Sequence, residues 1–119
     1  MTSERTGNSA PFVPVTDTPQ LEELFRLSES QPVILFKHST TCPISAAAYQ
    51  QMQNLEDDVS LIVVQTARAV SREVEERTAI RHESPQAIIL RDGRAVWHAS
   101  HWKITADEVE RAVREHASK

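Results

Sequence analysis

The sequence predicts an α/β domain with a central mixed four-stranded sheet flanked by helices. Two solid apolar runs, Val33-Ile34-Leu35-Phe36 and Leu61-Ile62-Val63-Val64, are joined by a stretch with helical spacing, which makes them parallel neighbours in one sheet. A second pair, Ala87-Ile88-Ile89-Leu90 and Ala95-Val96-Trp97, flanks Asp92-Gly93, a strong hairpin signal. At 119 residues the chain holds one ordinary domain, long enough to bury a core and too short for two.

Each element has its own signal. Residues 1–14 mix Ser, Thr, Asn, Gly and Pro and read as a flexible N-terminal tail before a domain over residues 15–119. Phe12 to Val15 are available as a short extra edge strand. Thr18 as cap and Pro19 behind it open a helix, continued by Leu21, Leu24, Phe25 and Ser28. The run after Pro32 suits a strand covered on both faces. Ile44, Ala47, Ala48, Met52 and Leu55 share one helical face, and a further helix covers residues 71–80. Thr105-Ala106-Asp107-Glu108 is a capping box that opens the last helix, with Val109, Ala112 and Val113 inward. The order is helix, strand, helix, strand, helix, hairpin, helix, which is that of the thioredoxin fold.

Bulk properties narrow the function. The hydrophobic fraction of 39% and charged fraction of 25% are those of a soluble globular protein. A net charge of −4 gives no nucleic-acid footprint and no polybasic membrane patch. No apolar run approaches the ~18 residues that span a bilayer, and residues 1–10 lack the apolar stretch of a secretory signal, so a cytoplasmic protein is expected. One cysteine cannot close an internal disulfide or supply a multi-cysteine zinc site, and the scattered histidines lack ligand spacing, so no metal is expected. Redox chemistry must then involve a sulfur from another molecule.

That cysteine, Cys42, stands just past the first core strand. Thr41 is placed to cap the next helix, Cys42 to fall in its first turn, and Pro43 to be tolerated there. Unpaired N–H groups and the positive end of the helix favour a thiolate, the form that attacks sulfur. Lys37 and His38 lie slightly upstream as further positive charge. The plain alternative is an inert core cysteine, but Thr40-Thr41-Cys42-Pro43 is a polar corner. Ser45 occupies the position where a dithiol oxidoreductase has its resolving cysteine; it either defines a one-cysteine exchanger or simply fills the helix turn.

A second corner, Arg81-His82-Glu83-Ser84-Pro85-Gln86, precedes the third strand, where thioredoxin-like folds place a cis proline facing the cysteine. With the first two strands parallel and the next two alternating, Arg68, Cys42, Pro85, His101 and Trp102 come to one crevice. Each has an ordinary reading too: Arg68 as a solvated loop charge, Trp102 as filler under the last helix, His82 and His101 as surface residues. Trp97 reads as packing, and His98 and His116 as surface or packing residues.

Three stretches, His38-Ser39-Thr40-Thr41-Cys42-Pro43-Ile44-Ser45, Ile80-Arg81-His82-Glu83-Ser84-Pro85-Gln86 and Trp97-His98-Ala99-Ser100-His101-Trp102 followed by Ile104-Thr105, resemble the monothiol bacilliredoxins, thioredoxin-like proteins of the bacillithiol system. Lys103 departs from the asparagine expected there. The resemblance implies removal of bacillithiol, or a similar low-molecular-weight thiol, from mixed disulfides of S-thiolated client proteins. Cys42 would be the nucleophile, reset by a second thiol, with that thiol as co-substrate and no tightly bound cofactor. Thr41, Pro43, Arg68, His82, Ser84, Pro85, His101 and Trp102 form the expected substrate-binding set. Bacillithiol ends in a malate, and charge alone nominates Arg68, Arg81 or His82 for its carboxylates. Two rival readings are an iron–sulfur cluster bridged by Cys42 and an outside thiol, against which Pro43 argues, and a peptide-binding adaptor in which Cys42 is incidental.

Overall fold

The computed structural model describes residues 11–117. Five strands and four helices alternate as β1 Phe12–Pro14, α1 Thr18–Leu27, β2 Val33–His38, α2 Pro43–Met52, β3 Val59–Val63, α3 Arg68–Thr78, β4 Gln86–Arg91, β5 Arg94–Ser100 and α4 Ala106–Glu115, with a 3-10 turn His101–Lys103 before α4. The sheet order is β1-β3-β2-β4-β5. The first three are mutually parallel where they pair, and β4 and β5 run antiparallel to their neighbours. The N-terminal segment at Phe12–Pro14 forms the edge strand, and the Phe12 ring stacks on Tyr49 at 4.3 Å. The rest of the expected tail, residues 1–10, lies outside the described residues.

Alternation along the strands divides the core into two layers. Val33 and Leu35 of β2 face one side with Ile88 and Leu90, packed against Leu21 and Phe25 of α1 and Val70 and Val74 of α3. Ile34 and Phe36 face the other side with Ile89, against Met52 of α2 and Val109 and Ala112 of α4. Trp97 is part-buried against this second layer, a packing role. Continuing the alternation, Lys37 turns towards α3 and His38 towards α2.

Helix starts differ from the sequence expectation where a better cap is adjacent. Asp17, not Thr18, caps α1: its carboxylate accepts from the Gln20 N–H at 2.9 Å, and Gln20 Oε1 accepts from the Asp17 N–H at 3.2 Å. Helix α3 starts three residues before the expected residue 71, because Arg68, Ala69 and Val70 already bring the buried Val70-Val74 stripe into register. Thr105 caps α4 by accepting from the Glu108 N–H. The hairpin turn has positive φ at both Asp92 (58°) and Gly93 (77°), the twist-matched geometry for two-residue loops. Buried Ser28 holds it, accepting from the Gly93 N–H at 2.9 Å through Oγ and from the Asp92 N–H at 2.7 Å through its carbonyl. Among the described residues no helix is long and apolar enough to cross a membrane.

Candidate active site

Everything chemically distinctive gathers where β2 and β3 end and β4 begins. Cys42 is the N-cap of α2, with extended backbone (φ −106°, ψ 123°), and is part-exposed. This corrects the expectation that Thr41 caps and Cys42 sits in the first turn. The cause is Pro43 at the first helical position: a residue before proline is pushed out of the helical region, so the cap cannot fall earlier than Cys42. Cys42 still stands at the positive helix end, beside the N–H groups that lack intrahelical partners. Thr41 instead accepts from Gln65 Nε2 at 3.3 Å, and Gln65 also donates to Ser39 Oγ at 3.0 Å.

Ser45 does more than fill a turn. It is fully buried, its Oγ accepts from the Ser39 N–H at 2.9 Å, and it lies 2.9 Å from His38 Nδ1. The His38 ring is packed between Phe36 (5.7 Å) and Tyr49 (4.8 Å). Burial pushes the His38 pKa down, so its ring is neutral at physiological pH. Ser45 therefore ties the end of β2 to the first turn of α2.

Lys37 leaves on the opposite face. Its side chain is 0% exposed, and its ammonium donates to the Ser71 carbonyl at 3.1 Å and lies 3.1 Å from His82 Nδ1. Burial lowers its pKa to about 8, against the opposing pull of the Glu75 carboxylate. Burial and then the Lys37 charge push His82 down as well. The upstream charges expected to sit together thus part: His38 goes to Ser45 and Lys37 to His82. Above Lys37 an open pocket of about 390 Å³ is lined by Gln65, Arg68, Arg72, Glu75 and His82, among others. Arg68 and His82 are brought together here. Arg81 is not among the lining residues; its carbonyl accepts from Gln86 Nε2 at 3.0 Å.

The remaining residues come from β4 and β5. The Ser84–Pro85 bond is cis. Gln86 pairs with Lys37, so Pro85 flanks the end of β2 from which the chain runs to Cys42. The His101 N–H donates to the Pro85 carbonyl at 3.1 Å, its Nε2 lies 3.3 Å from Glu83 Oε1, and its φ is +57°. Trp102 is 70% exposed on a turn that lies against α2, which rules out its reading as filler. Ser84 Oγ is buried with no hydrogen-bond partner among the described residues. A larger groove, about 590 Å³, lies at the other end of the sheet around Pro32 and Ser60 and is remote from this chemistry. Among the described residues no three His, Cys, Asp or Glu side chains cluster as a metal site.

Sequence reading missed Gln65, Ser71, Arg72, Glu75 and Glu83. The available signal was Lys37 itself: a charge inside an otherwise apolar strand needs buried partners.

Solved structures share this framework. A candidate oxidoreductase with a thioredoxin fold is 31% identical, with a TM-score of 0.79, over 85% of this chain and 92% of that one. The thioredoxin of Trypanosoma brucei brucei is 14% identical with a TM-score of 0.71, over 94% and 96%. That of Fasciola hepatica is 12% identical with a TM-score of 0.68, over 87% and 97%. The two thioredoxins show the fold alone. The family model described as monothiol bacilliredoxin BrxC matches residues 13–109, the span that holds β2 to β5, Cys42, Pro85 and Trp102. That match covers most of the chain, whose one cysteine stands at the head of α2, and this chain belongs to the monothiol bacilliredoxin family.

Proposed function

We propose that the protein is a one-cysteine thiol–disulfide exchanger that removes bacillithiol, or a similar low-molecular-weight thiol, from mixed disulfides on client proteins. Family membership and the likeness to an oxidoreductase of thioredoxin fold support a thiol redox role. The observation that carries the finer reading is the pairing of a part-exposed Cys42 at a helix N-terminus with a buried, hydrogen-bonded Ser45 one turn on. Nothing at position 45 can displace a disulfide.

The Cys42 thiolate attacks the bacillithiol sulfur of the mixed disulfide. A Cys42–bacillithiol disulfide forms, the client S–S bond breaks, and the client leaves as a thiolate that takes a proton from water. A second low-molecular-weight thiolate then attacks the bacillithiol sulfur, forms a disulfide with it, and releases Cys42. Pro85, Ser84 and Thr41 border the attacked sulfur, with Pro43, His101 and Trp102 on its flanks. Dependence on a pool of small thiols fits the reducing cytoplasm.

Incubation with an S-bacillithiolated client peptide tests this. The parent protein is expected to free the client thiol stoichiometrically without added reductant, and Cys42→Ser to free none above the uncatalysed background. Equal release by both would overturn the assignment of Cys42.

A further inference from the structure

The pocket beside α3 has a composition that exchange at sulfur does not require. Arg68 and Arg72 lie one helical turn apart on its wall, both exposed, and neither makes an ion pair or side-chain hydrogen bond with a described residue. Beneath them Lys37 is fully buried within 3.1 Å of His82 Nδ1, with Ser71 Oγ 3.3 Å from the same nitrogen. An ammonium has hydrogens to give and no lone pair, so Nδ1 must accept and the ring proton resides on Nε2. His82 is thus held as a neutral ring with one N–H donor. The carboxylate in the pocket, Glu75, is engaged by the His82 backbone N–H at 3.1 Å and by the Lys37 charge. Two guanidinium forks without a partner among the described residues and one imidazole donor line the pocket beside the engaged Glu75, with the Lys37 ammonium held behind His82; paired forks suit two carboxylates.

Position links the pocket to Cys42. Gln65 lines it and also donates to Thr41, the residue before the cysteine. We propose that this pocket is an anion subsite for the dicarboxylate end of the small thiol joined to Cys42, gripped by Arg68, Arg72 and the His82 Nε2–H, with Lys37 as the positioning residue that keeps His82 a donor. The assignment rests on the exchange reading for the identity of the thiol, and its test does not depend on exchange.

The test uses the full-length Cys42→Ser protein, which cannot form the adduct, titrated with glucosaminyl malate, the part of bacillithiol without its cysteine. Nitrogen-15 NMR of the imidazole is expected to show His82 protonated on Nε2 and not on Nδ1 at pH 7, with saturable shifts on titration. Methyl glucosaminide, without carboxylates, is expected to leave the ring unmoved. Arg68→Gln with Arg72→Gln, both at exposed positions, is expected to weaken binding about tenfold or more. Lys37→Met is expected to give a mixture of His82 tautomers and weaker binding. Absence of binding while the parent still takes up bacillithiol would overturn the subsite and leave exchange standing. Inorganic phosphate binding as tightly as glucosaminyl malate would overturn the dicarboxylate assignment. Binding of glucosaminyl malate by the Cys42→Ser protein, with a parent that takes up no bacillithiol, would sink exchange and leave the anion site standing.

Discussion

A Ser45→Cys variant is expected to expel its bound thiol unaided and accumulate an internal disulfide, whereas the parent keeps the adduct until an outside thiol arrives. Position 45 is three residues beyond Cys42, on the inward side of the first turn of α2. The expectation requires that a sulfur there come within the reach that disulfide geometry demands. The new thiol would attack Cys42 Sγ and release the small thiol, a unimolecular step that outruns any bimolecular rescue at modest thiol concentration. The exchange of function carries a loss of stability. Ser45 Oγ accepts the Ser39 N–H and pairs with His38 Nδ1, and a thiol is a poor partner for either. Leaving those buried groups poorly satisfied costs about 1–3 kcal/mol, readable as a shifted denaturant midpoint in the reduced variant. Intact mass against time separates the two proteins. An adduct equally persistent in both would show that the helix turn does not bring the two sulfurs together.

The second large effect concerns Lys37 and pH. Its folded-state pKa is lowered from 10.5 to about 8, so between these values the unfolded chain binds the proton more readily than the folded one. Below pH 8 both states are protonated and the folded state carries the penalty of a buried ammonium. As pH rises from 8 to 10.5 that penalty is relieved, and stability increases with pH. A shift of this size corresponds to about 3 kcal/mol across the window. Lys37→Met removes the effect. The difference in unfolding free energy, parent minus variant, is therefore expected to grow by about 3 kcal/mol between pH 7.5 and 10.5. Parallel pH profiles would mean that Lys37 reaches solvent.

The fold was legible because each element announced itself through local chemistry. The apolar runs gave β2, β3 and β4, Asp92-Gly93 gave the hairpin, and Thr105 gave α4. Cys42 was legible for the same reason, since a lone cysteine before proline at the end of a core strand marks a helix start. The exact cap was misread because Thr41 is the better capping residue by type, while Pro43 decides the position by sterics. Lys37 and His38 illustrate what stayed hidden. Adjacent in sequence and both positive by type, they look like one electropositive patch beside the cysteine. Strand alternation sends them to opposite faces, where His38 meets Ser45 and Lys37 meets His82, and burial leaves His38 neutral. The partners of Lys37 are 34 and 45 residues away, beyond any pattern in a single sequence. His101 shows a middle case: topology brought it to the crevice, but its bond to the Pro85 carbonyl and its contact with Glu83 needed coordinates.

The claim on which the rest depends is that Cys42 alone carries a small thiol between molecules. Intact mass of the parent protein after brief exposure to a bacillithiol mixed disulfide tests it most directly. The account predicts one bacillithiol moiety per chain, mapped to Cys42 by peptide mass, stable after removal of excess reagent and lost on addition of free thiol. A protein that stays unmodified, or that sheds the moiety with no thiol added, would contradict it.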